Sequence, residues 1–98
     1  MESLFVYGNL MDANVQHTVF GRKVEFVYDV LFDYIKEDFI FGRNRFVTIV
    51  PKKGFSVNGA ILYLEPNEIS FLDEKQGKHF HKAKLRLNSG KEAWVYVK

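Results

Sequence analysis

The chain has 98 residues, 47% of them hydrophobic and 16% aromatic, with a formal charge of +2 and no cysteine. That length carries one domain with one modest core, and the apolar content excludes a disordered chain. The lack of cysteine excludes disulfides, thiol nucleophiles and thiolate metal sites, no apolar run reaches the ~20 residues that span a bilayer, and a small, interleaved charge speaks of solubility rather than of a nucleic-acid partner. A single domain over residues 1–98, without membrane or nucleic-acid partner and resident in the cytoplasm, is the expectation.

In chain order, Leu4-Phe5-Val6-Tyr7 is an apolar run of strand formers. Gly8-Asn9 then allows a sharp turn, with little room for a side chain expected at Gly8. Residues 10–18 read as one short helix, stopped near Phe20-Gly21 by the glycine. Residues 23–34 carry Val24, Phe26, Val27, Val30, Leu31 and Phe32 and read as one long strand, bulged where apolar residues fall side by side. Residues 35–41 form a further strand or an irregular edge, and Gly42-Arg43-Asn44-Arg45 is a polar turn. Residues 46–50 are a strand closed by Pro51, which has no N–H to give a ladder, and Lys52-Lys53-Gly54 is a turn. Residues 56–64 are the next strand, with Gly59 marking a close approach of backbones.

A second helix starts at Glu65-Pro66-Asn67-Glu68. Asn67 is the natural N-cap; alternatively Glu65 precedes Pro66 at the first helical position. Ile69, Leu72 and Gln76 fall on nearby faces, and Gly77 ends the helix. Residues 79–87 are a strand with Phe80, Lys82, Lys84 and Arg86 on one side and Ala83, Leu85 and Leu87 on the other. Asn88-Ser89-Gly90-Lys91 is a hairpin turn into a returning strand over residues 92–98. Seven or so strands and two short helices make a strand-dominated α+β domain. Ten phenylalanines and five tyrosines supply cross-strand contacts, and curling the sheet into a small closed or nearly closed mixed β-barrel removes its edges.

A buried strand that breaks at glycine and runs into a helix leaves backbone N–H groups aimed at one spot, which suits a carboxylate. The stretch Phe71-Leu72-Asp73-Glu74-Lys75-Gln76-Gly77 gives that loop a partner. Together with Phe5-Val6-Tyr7-Gly8-Asn9-Leu10-Met11 it resembles the gamma-glutamylcyclotransferase-like (AIG2-like) family. That family pairs an N-terminal Tyr-Gly-Ser/Thr-Leu loop with a late Leu-Asp-x-x-Glu-Gly motif. Val47-Thr48-Ile49-Val50-Pro51 and Val57-Asn58-Gly59-Ala60-Ile61-Leu62-Tyr63 look like the family's middle strands, and Ala93-Trp94-Val95-Tyr96-Val97 like its closing strand. Phe80 and Lys82 stand where the family often has Tyr and Arg.

The resemblance implies a mostly β barrel with a pocket between the loop and the late helix, and a small γ-glutamyl-type ligand. The family's enzymes act on γ-glutamyl amines or peptides: the substrate's α-amine attacks its own γ-carbonyl, closing 5-oxoproline and releasing an amine. The Glu of the late motif shuttles the proton, and no cofactor or metal is needed. Carried over, Tyr7, Gly8, Asn9 and Leu10 bind the substrate, position 76 is catalytic, and Asp73, Phe80 and Lys82 are further candidates.

This chain has Gln76 where the family has its Glu. An amide keeps the shape and cannot accept a proton, and a positioned acid–base group is worth about 10²–10⁴ in rate. Asn9 replaces the loop's Ser/Thr, and Lys75 a frequent aromatic. The reading is therefore a family protein that acts on or binds γ-glutamyl compounds with impaired catalysis. A non-catalytic small-molecule-binding relative is its neighbour. Asp73, three residues before Gln76, or its neighbour Glu74 is the carboxylate that could take over, the plainer role of Asp73 being to bond backbone near the helix end. A third reading takes Lys75, Lys78, Lys82, Lys84 and Arg86, interleaved with Phe80, as a nucleic-acid face of a small barrel; nearby acids and the low net charge argue against it. His79 and His81 could face one metal ion from a strand, but with no third ligand in sight they read as surface histidines.

Overall fold

The computed structural model describes residues 1–77 and 80–98. Its elements are β1 (Glu2–Val6), a 3-10 turn (Asn9–Met11), α1 (Ala13–Phe20), β2 (Phe26–Phe41), β3 (Asn44–Leu64), α2 (Pro66–Gln76), β4 (His81–Arg86) and β5 (Glu92–Val97). The strands form one mixed sheet in the order β2-β3-β1-β5-β4. All neighbours are antiparallel except β1 and β5, which run parallel with Leu4 opposite Trp94 and Phe5 opposite Val95. The sheet curls into a half-barrel, strand-dominated with two helices, as the composition and strand pattern imply.

The period-2 alternation of β1 divides the core. Leu4 and Val6 point to one face, with Leu62, Leu64 and Tyr96 and, from α2, Ile69 and Leu72. Phe5 and Tyr7 point to the other, with Leu31, Ile49, Val57, Ile61 and Val95. β1 is thus buried on both faces, which explains its unbroken apolar run.

Two pairs of expected strands are single elements, so the seven expected are five. Residues 23–34 and 35–41 fall mainly into β2, which starts at Phe26, and residues 46–50 and 56–64 both fall in β3. Lys52-Lys53-Gly54 is not a turn but the long side of a bulge. The register passes from Phe32 opposite Ser56 to Tyr34 opposite Pro51, so residues 52–55 face Asp33 alone. Asp33 and Gly54 take positive φ of 67° and 89°, and the Gly54 N–H donates to Asp33 Oδ1 at 3.1 Å. Pro51 does not end the strand. It sits opposite Tyr34, where β3 pairs with β2 on one side and, among the described residues, with nothing on the other, the edge setting in which a strand tolerates proline. Beyond the bulge, residues 34–41 and 44–51 form an arm that carries the stacked rings of Phe39 and Phe46, 5.2 Å apart.

The start of the first helix was also misplaced. α1 begins at Ala13, not at Leu10, because Asp12 caps it: its carboxylate accepts from Asn14 N at 2.7 Å and Val15 N at 3.2 Å. Gly21, at φ 70°, stops it as expected. Of the two starts the sequence offers for α2, the structure takes Glu65 as cap with Pro66 at the first position, rather than Asn67 as cap. Glu68 reaches back to take the Glu65 N–H at 2.8 Å.

One end of the half-barrel is held shut by the β4–β5 turn. Asn88 N donates to Val30 O at 2.8 Å, and the Ser89 hydroxyl and N–H both donate to Asp29. Burial raises the Asp29 carboxyl, but the Ser89 bonds and the Val30 N–H outweigh it and hold it below the usual carboxylate range. None of the helices described is long and apolar enough to cross a membrane.

Candidate functional site

After β1 the chain leaves the sheet at Tyr7 and turns over Gly8. Met11 N donates to Gly8 O at 3.0 Å and Asp12 N to Asn9 O at 3.0 Å, closing the 3-10 turn. Gln16, 1% exposed, fixes that turn from α1 by donating from Nε2 to Leu10 O at 2.8 Å. The loop therefore has a defined shape before any ligand arrives. Gly8 does not supply it in the expected way. Its φ is −131°, outside the left-handed region, and a β-carbon there would meet no atom within 4 Å. The expectation of a crowded Gly8 is wrong, because the turn is made by the hydrogen bonds that follow it.

From the other side, α2 ends at Gln76, where Gly77 at φ 63° turns the chain away and donates to Asp73 O. The loop and the helix end meet. Phe5, Val6, Tyr7, Gly8, Asn9, Leu10, Val47, Gln76, Phe80 and Tyr96 line one cavity of about 210 Å³. The structure thus brings Tyr7, Gly8, Asn9, Leu10, Gln76 and Phe80 together, although about two thirds of the chain lies between the loop and Gln76. It leaves Asp73 and Lys82 out of the cavity wall.

Those two residues are bound to each other. Asp73 accepts from Lys82 Nζ at 3.0 Å and from the Tyr96 hydroxyl at 2.6 Å. Among the described residues, Asp73 therefore bonds side chains rather than the backbone near the helix end. Tyr96 in turn gives its carbonyl to the Tyr7 hydroxyl at 2.7 Å. This chain of contacts ties the start of the loop, β5 and α2 around the cavity. Burial pushes the Tyr7 phenol up to about 12. The Thr48 hydroxyl beside it, buried without a partner of good geometry, offsets this in part. Burial and the Asp73 carboxylate push Tyr96 well above the usual tyrosine range. For Asp73, burial raises the carboxyl, but the Tyr96 hydroxyl and Lys82 outweigh it, and the group sits below its usual value. At neutral pH both phenols are protonated and Asp73 is ionised.

Among the described residues, the only titratable groups in the wall are the two tyrosines, and no carboxylate lines it. No group of three or more metal-ligating side chains occurs among the described residues, and His79 and Lys78 lie outside them. The basic residues of the nucleic-acid reading are taken up locally. Lys82 and Lys84 lie over Trp94 at 5.2 and 5.1 Å, Lys75 over Phe71 at 5.3 Å, and Arg86 stands 4.0 Å from Glu92.

Sequence reasoning missed Tyr96, Val47 and Gln16. Tyr96 carried a signal, two residues after Trp94 on the same face of the closing strand. Gln16 carried a weaker one, an amide in the middle of a short helix. Val47 carried none, since only the bend of the arm brings it to the cavity.

Comparison with known proteins gives this arrangement a context. A family model described as gamma-glutamyl cyclotransferase, AIG2-like, matches residues 4–98. No curated protein gives a significant sequence match. Among solved structures, a solution structure from Arabidopsis thaliana is 24% identical with a TM-score of 0.80, over 98% of this chain and 67% of that one. A structure named gamma-glutamyl cyclotransferase is 20% identical with a TM-score of 0.76, over 98% and 65%. A crystal structure from Pyrococcus horikoshii is 16% identical with a TM-score of 0.74, over 99% and 77%. At these identities the likeness is one of fold, and the chain spans about two thirds of the length of the first two.

Proposed function

The chain belongs to the gamma-glutamyl cyclotransferase, AIG2-like family, and from that premise we propose that its cavity binds the γ-glutamyl part of a small amide without efficiently cyclising it. The observation that carries this reading is Gln76. It stands in the cavity wall beside the Tyr7-Gly8-Asn9-Leu10 loop, at the position of the family's glutamate, with no carboxylate in the wall described.

Cyclisation requires the ligand's α-ammonium to lose a proton. Its nitrogen then bonds to the γ-carbonyl carbon, the amide C–N bond breaks, and the departing amine takes up a proton. One carboxylate within about 3 Å of both nitrogens performs both transfers. Because the attack is intramolecular, the rest of the site has only to hold a compact conformer. The Gln76 amide can hold the ligand by hydrogen bonds but cannot take the proton. The Gly8–Leu10 backbone and Asn9 serve the glutamyl part, as in the family resemblance. Asp73 is a poor substitute base: it lies outside the wall, Tyr96 and Lys82 occupy its oxygens, and its pKa is depressed. A binding role is thus favoured over catalysis, and over a nucleic-acid face whose lysines are engaged with Trp94, Phe71 and Asp73. The cysteine-free composition fits work in the cytoplasm.

The test is calorimetry with γ-glutamyl ethylamide, with the ligand recovered and analysed afterwards. Saturable binding with the ligand recovered intact is the expected outcome. Absence of binding removes the γ-glutamyl reading, and rapid release of 5-oxoproline removes the claim of impaired catalysis.

A further inference from the structure

We propose that residues 34–41 of β2 are a pairing edge for a second copy of this chain, the two strands lying antiparallel about a two-fold axis at Glu37. This surface is independent of what the cavity binds.

β2 ends the strand order on one side, and its outer edge divides in two. Around Val30 the chain covers that edge itself: Asn88 N donates to Val30 O at 2.8 Å, and Ser89 holds Asp29. Past the bulge at Asp33 the arm runs on. There, among the described residues, residues 34–41 pair with β3 and with no other strand. An open edge presents a row of backbone N–H and C=O groups, a template for another strand. Apolar exposure gathers on the same hairpin, at Phe32, Ile40, Phe41, Val47 and Phe55, and Ile40 is 75% exposed.

The edge is complementary to itself. Tyr34 and Ile35 precede Lys36-Glu37-Asp38, and Phe39 and Ile40 follow. Two antiparallel strands related by a two-fold axis place opposite one another residues of the same face, equally spaced about a central residue. With Glu37 at the centre, Lys36 meets the partner's Asp38, and the symmetry makes this contact twice. Tyr34 meets the partner's Ile40 on the same face, so the exposed Ile40 gains an aromatic neighbour. On the other face Ile35 meets the partner's Phe39. Centred one residue either way, no ion pair forms and two like charges meet on the axis. Among the described residues Lys36 and Glu37 make no ion pair. Asp38 stands 3.2 Å from Arg45 through Oδ2, which leaves Oδ1 for the incoming lysine. The cost of the register is Glu37, which meets its own copy. The opposite edge of the sheet lacks this complementarity: β4 carries His81, Lys82, Lys84 and Arg86 and no acid, so a second copy laid there meets like charge.

A single edge pairing is small beside a standard interface of about 800 Å² per partner, so the dimer is reversible and depends on concentration. Sedimentation equilibrium of the full chain, at concentrations rising to millimolar, tests this. The wild type should pass from monomer to dimer. Lys36→Glu sets two pairs of acids together, and Asp38→Lys two pairs of lysines. Each alone should weaken dimerisation about tenfold or more, with folding checked by melting temperature. Mixed in equal amounts, the two variants place opposite charges across the axis and should associate with each other at near wild-type strength. Glu37→Gln removes the like pair and should tighten the dimer about two- to threefold. A wild type that stays monomeric overturns the proposal. So does a dimer that Lys36→Glu and Asp38→Lys leave unchanged, or a pair of weakened variants that fail to associate when mixed. A Glu37→Gln dimer weaker than wild type overturns the axis at Glu37.

Discussion

A β-carbon at Gly59 would run into the Val6 carbonyl oxygen and the Phe5 ring. That glycine leaves room for the Val6 carbonyl and the Phe5 ring where β1, paired beside β3, leaves the sheet for the loop. Its position was readable, because a glycine inside a strand marks a close approach. Gly8 was misread on similar grounds: a glycine at the end of a strand invites the thought of a crowded, left-handed turn, yet its φ of −131° lies outside the left-handed region and its surroundings are open. Gly59→Ala should therefore lower stability by about 1–3 kcal/mol, an overpacking cost against rigid backbone. Gly8→Ala should cost much less. Urea denaturation of the two variants checks this, and a larger loss at Gly8 would contradict the account of the loop.

Arg22 and Glu68 join the end of α1 to the start of α2. Arg22 Nε and Nη2 donate to Glu68 Oε2 and Oε1 at 2.8 and 2.7 Å, and Nη2 also reaches Tyr63 O at 3.3 Å. Glu68 caps its own helix at the same time. The hydrogen bonds from Arg22, opposed by burial, hold the Glu68 carboxyl below its usual value. A carboxyl whose pKa is lower in the folded state adds stability that is full above its unfolded pKa of about 4.3. That contribution is lost as pH falls through the folded value. Arg22→Ala should lower Tm at pH 7 and flatten the fall in Tm between pH 5 and pH 3. Arg22→Lys should not restore either, since a lysine cannot make the paired contact. Unchanged Tm and an unchanged acid profile in Arg22→Ala would show that the pair holds nothing.

Elements were legible where one local cause dominates. Gly21 and Gly77 stop the helices, and β4 and β5 follow their alternation. Elements were misjudged where a contact distant in sequence decides and, at the start of α1, where a local cap outweighs the apolar pattern. Asp12 takes the cap that the apolar Leu10 seemed to start. The long β2–β3 hairpin absorbs both Pro51 and Lys52-Lys53-Gly54, because β3 is unpaired on its second side there among the described residues.

At the scale of the whole molecule, the half-barrel brings a loop after the first strand to the end of the last helix. The resemblance of two short motifs gave that juxtaposition in advance, since each is weak alone and they carry meaning as a pair. What stayed hidden was the support around it. Tyr96 spans from Tyr7 to Asp73, and Val47 arrives on a bent arm, both products of three-dimensional closure that no local spacing encodes.

The central claim is that this cavity keeps the ligand-holding geometry and lacks only the proton carrier. Gln76→Glu tests it most directly, because it changes shape very little and places a titratable oxygen in a mostly apolar wall, where its pKa should be raised toward neutrality. The measurement is 5-oxoproline release from γ-glutamyl amides at pH 7, in wild type and in a variant whose folding is confirmed by its melting temperature. The account predicts little or no release by the wild type and a gain of about 10²–10⁴ in the variant. A folded, ligand-binding Gln76→Glu protein that remains silent, or a wild type already as fast as the variant, would contradict it.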